Sequence, residues 1–163
     1  MKRTTVIILT FIFIFMLAVP TFAADASASL KGPATVRSGD TITLTLRVGG
    51  VSNLGYSGDL VYSTSQLEFV EFKQKIASPW VVNFDSSSNK FLAYDDNQTN
   101  PIKSETDLFT VAFKVKNLAV GTKVDVSFKN IVSTYNNQDV AAGNAEYSVN
   151  IAAPKSSNAD LAG

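Results

Sequence analysis

From Ser29 onward the chain falls into short segments whose apolar and polar residues alternate with period two. Ile42, Leu44, Leu46 and Val48 alternate with Thr41, Thr43, Thr45 and Arg47. Phe109, Val111, Phe113 and Val115 do so with Thr110, Ala112, Lys114 and Lys116. Val124, Val126 and Phe128 form a third set, and Ala145, Tyr147, Val149 and Ile151 a fourth. Successive side chains of a strand point to opposite faces, so each set predicts a half-buried strand with its apolar residues inward. Further strands are predicted at Ser29–Gly32, around Val36, and at Leu54–Tyr62, Leu67–Lys73, Trp80–Phe84 and Lys90–Tyr94. In Leu67–Lys73 the apolar phase changes between Phe69 and Val70, which predicts a bulge or a strand end.

Turn-forming residues separate these segments: Ser38-Gly39-Asp40, Gly49-Gly50, Asp85 to Asn89, Asp96 to Pro101, Gly121 and Asn136-Asn137. No window carries a helical period. About nine short strands with frequent turns predict an all-β sandwich, with immunoglobulin-like and jelly-roll connections both open.

The ends read differently. Lys2 and Arg3 precede an apolar run from Val6 to Val19, broken only by Thr10 and followed by Pro20. Thr21 and Ala23 suit the small positions before a cut after Ala23, with a second choice after Ala26. This is the layout of a secretory signal peptide over residues 1–23, and the run is shorter than the ~20 residues of a comfortable membrane span. Residues 24–152 then form the sandwich domain, and residues 153–163 read as a linker opening on a further domain. Removing Lys2 and Arg3 leaves a net charge of −2 from 14 basic and 14 acidic residues.

Composition narrows the chemistry. The 163 residues contain no His and no Cys, which excludes a Ser-His-Asp triad, a thiol nucleophile, a disulfide and a zinc site of imidazole or thiolate ligands. The near-neutral charge excludes the basic footprint of a nucleic-acid binder. Asp95-Asp96-Asn97 has the oxygen ligands of a calcium loop, but the EF-hand pattern fails, so no metal or other cofactor is expected. Nothing selects one carboxylate pair for glycoside hydrolysis, and no enzymatic activity is expected. Trp80, with Tyr56, Tyr62, Tyr94 and Tyr135, is the candidate aromatic platform for sugar rings, against a core role for Trp80 beside Pro79 and Val81-Val82. Asn97-Gln98-Thr99 is a glycosylation triplet, a pattern that arises often by chance.

Three stretches resemble the cohesin family: Ser38-Gly39-Asp40-Thr41-Ile42-Thr43-Leu44; Leu60 to Val70, with Leu60-Val61-Tyr62 and Leu67-Glu68-Phe69-Val70; and Asn100-Pro101-Ile102 with Asp107 to Lys116. The similarity runs from about Ala28 to Ile151. It implies a nine-stranded jelly-roll sandwich that binds dockerin modules in the assembly of extracellular polysaccharide-degrading complexes. The fold is also similar to that of some bacterial carbohydrate-binding modules, which keeps a polysaccharide ligand, or a cell-surface adhesion role, as the alternative. Partner binding is expected on the face bearing Ser57, Asp59, Asp95, Asn136 and Asn137: Asp59 is outward if Leu60 and Tyr62 point inward, and the resemblance implies a contact role for Asp95, at an acidic position the family uses, and for the late loop with Asn136 and Asn137. Ser63-Thr64 replaces the family's Asp-Pro, and Gly55 and Ser57 stand where an Asn or Asp commonly contacts the dockerin, so a dockerin of unusual type is expected. Asn158 to Gly163 resembles the start of a cadherin-like repeat of bacterial surface proteins. The expected location is extracellular, with cell-surface attachment through such a following domain.

Overall fold

A computed structural model describes residues 26–155. The signal-peptide reading and the cadherin-like Asn158–Gly163 lie outside the described residues. Nine strands follow in order: β1 Ser27–Lys31, β2 Thr41–Gly49, β3 Gly55–Tyr62, β4 Leu67–Gln74, β5 Trp80–Asp85, β6 Lys90–Asp95, β7 Thr106–Val115, β8 Lys123–Tyr135 and β9 Gln138–Asn150. They form a four-stranded sheet, β1-β2-β7-β4, and a five-stranded sheet, β5-β6-β3-β8-β9. All ladders within the sheets are antiparallel. Consecutive strands often lie in different sheets, giving the predicted jelly-roll sandwich in place of a simple meander.

The two sheets meet through alternating apolar residues. Phe109, Val111, Phe113 and Val115 are all buried, as the alternation predicts. Phe109 spans the sandwich, with its ring 4.9 Å from Phe72 in its own sheet and 5.1 and 5.4 Å from Phe91 and Phe128 in the other. Phe113 packs 4.8 Å from Tyr62 across the sheets. Edge-to-face and tilted pairs of this kind add to the burial of each ring.

The phase change in Leu67–Lys73 is a bulge. The register between β4 and β7 shifts between Phe69 and Glu71, and Val70 is left 53% exposed. Two expectations change. Val36 makes a single parallel bridge to Ile151 and is not part of a strand. The segment at Val124–Phe128 continues to Tyr135, because β8 absorbs an extra residue. Phe128 faces inward, the register shifts, and Ile131 faces inward again. Asn130 carries this bulge with φ of 51°, left-handed backbone that Asn tolerates.

One buried polar group ties the β2–β3 connection to β8. Asn53 is fully buried, accepts from the Val51 amide at 3.0 Å and donates to Ser133 Oγ at 2.6 Å. Ser133 Oγ in turn donates to the Gly55 carbonyl at 3.1 Å. Asn53→Ala strands the Val51 amide, at about 1–3 kcal/mol, and removes the donor to Ser133 Oγ, whose own proton still goes to the Gly55 carbonyl. Expected is a lowered urea midpoint with an unchanged slope, equivalent to a loss of about 2–4 kcal/mol.

Candidate partner-binding face

The outward face of the five-stranded sheet is built from three cross-strand rows. The first runs Val81, Tyr94, Gly55, Thr134, Asp139 across β5, β6, β3, β8 and β9. The second runs Asn83, Leu92, Ser57, Val132, Ala141. The third runs Asp85, Lys90, Asp59, Lys129. The β8 bulge is what turns Val132 and Thr134 outward. Without it, regular alternation from Phe128 would send them into the core.

The first two rows enclose a shallow depression of about 510 Å³. Ser57 lies on its floor, Leu92 is 50% exposed beside it, and Asn137 stands at its rim. The β8–β9 turn owes its shape to Asn136 and Asn137, both left-handed with φ of 48° and 57°. Asn residues adopt this conformation readily, which is why they occupy the tight hairpin. Asn136 is exposed at the tip, outside the depression.

Asp59 lies one row below. Its carboxylate accepts from Asn130 Nδ2 at 3.0 Å and pairs with Lys90 at 3.5 Å. The Asn130 hydrogen bond, and then Lys90, hold its carboxyl below the usual carboxylate range.

Burial changes the role of Asp95 and bears out the core role of Trp80. Asp95 is only 3% exposed and points inward from β6, opposite in phase to Leu92 and Tyr94. Its oxygens accept from the Asn97 amide at 3.2 Å and the Asn100 amide at 2.5 Å. It therefore folds the loop after β6 and does not hold out a contact carboxylate to a partner. Trp80 is 4% exposed, stands 6.4 Å from the buried ring of Tyr56, and donates through Nε1 to the Asn100 carbonyl at 2.8 Å. It is core, and it offers no ring face for a sugar. Together Trp80 and Asp95 pin the loop that walls one side of the depression.

The sequence reading missed Leu92, Val132, Thr134 and Asp139 as parts of this face. Leu92 carried a signal: it is an apolar residue in the solvent phase of an alternating strand. The other three depend on the β8 bulge and on the register with β9, which alternation alone does not reveal.

The model of the Cohesin domain family matches residues 27–151. No curated protein matches the chain. Among solved structures, a cohesin module from a family 33 glycoside hydrolase of Clostridium perfringens superposes with a TM-score of 0.68 at 13% identity, covering 79% of this chain and 98% of that one. A non-cellulosomal cohesin from the archaeon Archaeoglobus fulgidus gives 0.64 at 17% identity, covering 80% and 93%. The sixth cohesin of scaffoldin B from Acetivibrio cellulolyticus, solved in complex with a Cel5 dockerin mutant, gives 0.61 at 19% identity, covering 78% and 99%. At these identities the superpositions speak for the shared sandwich. The family match covers most of the chain, and this protein belongs to the cohesin family of non-catalytic protein-binding modules.

Proposed function

We propose that this cohesin domain is a secreted module that captures a dockerin-type partner on the open face around Leu92, in the assembly of extracellular polysaccharide-degrading complexes. The observation that carries the reading is an open patch of mixed apolar and polar residues on the five-stranded sheet of a cohesin-family chain. Leu92, Val132 and Tyr94 supply apolar contact, and Ser57 and Asn137 supply polar groups among them. Protein interfaces combine a desolvated apolar centre with a polar rim in this way. Asp59 and Asn136 lie at the margin, and Asp95 acts by shaping the loop.

The extracellular setting rests on the leader-like residues 1–23. Among the described residues no helix is long and apolar enough to cross a membrane. The burial of Trp80 and Tyr56 speaks against sugar stacking as the main activity.

The test is a panel of purified dockerin modules, probed by calorimetric titration against the domain, beside sedimentation with cellulose and chitin. Saturable one-to-one capture of at least one dockerin, with no sedimentation, is expected. Polysaccharide binding without dockerin capture would replace this reading with the carbohydrate-binding one.

A further inference from the structure

The outward face has a gap in its first row. Gly55 sits between Tyr94 and Thr134 with no side chain of its own. The fold does not demand glycine there. Gly55 lies within β3 and is not among the glycines with left-handed backbone. A Cβ built on it meets Ala93 O and Thr134 Oγ1 at 3.5 Å, ordinary contact. A first side-chain atom there would sit in ordinary contact, on a backbone that is itself buried at the floor of the depression.

The surroundings of that space are one-sided in charge. Asp96 and Asp139 line it, Asp95 is buried at its edge, and no lysine or arginine lines it. Among the described residues neither Asp96 nor Asp139 forms an ion pair, in contrast to Asp59 with Lys90 one row below. Apolar walls from Leu92, Tyr94 and Val132 with carboxylates at the rim suit a side chain that has an aliphatic stem and a cationic head.

We propose that the depression over Gly55 is a specificity pocket for a lysine or arginine side chain of the protein partner. The stem lies over Gly55 against Leu92 and Tyr94, and the head is directed to Asp96 and Asp139. This deepens the dockerin reading and rests on it for the partner's identity, but the pocket chemistry can be tested separately.

Two variants and two probes decide it. Gly55→Leu fills the floor. The double variant Asp96→Asn, Asp139→Asn removes the rim charge and keeps its shape. With a dockerin from the panel, Gly55→Leu is expected to weaken binding at least about 30-fold, with a melting curve to confirm that the variant is folded. The double variant is expected to weaken it about 3–10-fold and to flatten the dependence of Kd on salt. If Gly55→Leu does not fold, the double variant decides alone. The second probe is a random-peptide phage library selected on the immobilised domain. Peptides centred on a basic residue are expected, and they should be lost with the double variant.

A dockerin blocked by Leu92→Arg but indifferent to both pocket changes would overturn the pocket and leave the dockerin reading standing. Selected peptides without basic enrichment would also overturn the pocket. Basic peptides selected while every dockerin fails would overturn the dockerin reading and keep the pocket.

Discussion

Phe109→Ala is expected to remove about 3–5 kcal/mol of stability, the usual cost of deleting a buried Phe side chain. The upper part of that range is anticipated here. Phe109 is fully buried and touches rings from both sheets, so the cavity cannot close unless the sheets approach each other. A domain of ordinary stability holds about 5–15 kcal/mol in total. The variant should therefore melt far below the parent, and at the low end of that range it is largely unfolded at 37 °C. Phe113→Ala, on the same strand and equally buried, should behave alike. Thermal melts followed by circular dichroism measure both. A shift of only a degree or two would mean that the inward face of β7 is not the centre of the core.

Leu92→Arg is expected to abolish partner capture and leave the fold intact. Half of the Leu92 surface is already in water, so its loss from the free protein costs little. Surface substitutions of this kind usually stay within about 0.5 kcal/mol. In a complex Leu92 lies within the second row, between Asn83 and Ser57, where a partner would exclude water. Truncation of such a residue commonly costs 2 kcal/mol or more, about 30-fold in Kd, and a buried unpaired charge adds to that. The measurement is a titration with a dockerin that binds the parent, beside a melting curve. Undiminished affinity would move the binding surface elsewhere on the sandwich. A collapsed melting temperature would instead show that Leu92 belongs to the core.

Much of the sandwich could be read from period-two alternation, because burial on one face imposes that pattern directly. Phe109 to Val115 is the clearest case, and even the β4 bulge announced itself through Phe69 and Val70. The second half of β8 was hidden for the same reason. Asn130 inserts one residue, the phase flips, and Val132 and Thr134 no longer look like members of the strand that holds them. The candidate site was less legible still. A sheet face is assembled from residues paired across strands, and register depends on bulges and turns distant in sequence. Asp95 illustrates the point. A carboxylate beside a turn suggests an exposed contact, yet one residue of parity sends it inward to cap the loop.

The direction of β8 and β9 has a consequence for reach. The depression lies beside the hairpin that joins them, whereas β9 ends against Lys123, at the far end of β8. With 13 residues in β8, the two ends stand roughly 40 Å apart. There Ile151 bridges Val36, and Arg37 Nε donates to the Ala153 carbonyl at 3.0 Å, so the departing chain is pinned before it leaves the domain. On the proposed reading, a partner docked at Leu92, level with Val132, sits roughly 30 Å along β8 from Lys123 and the pinned Ala153 end of the sandwich.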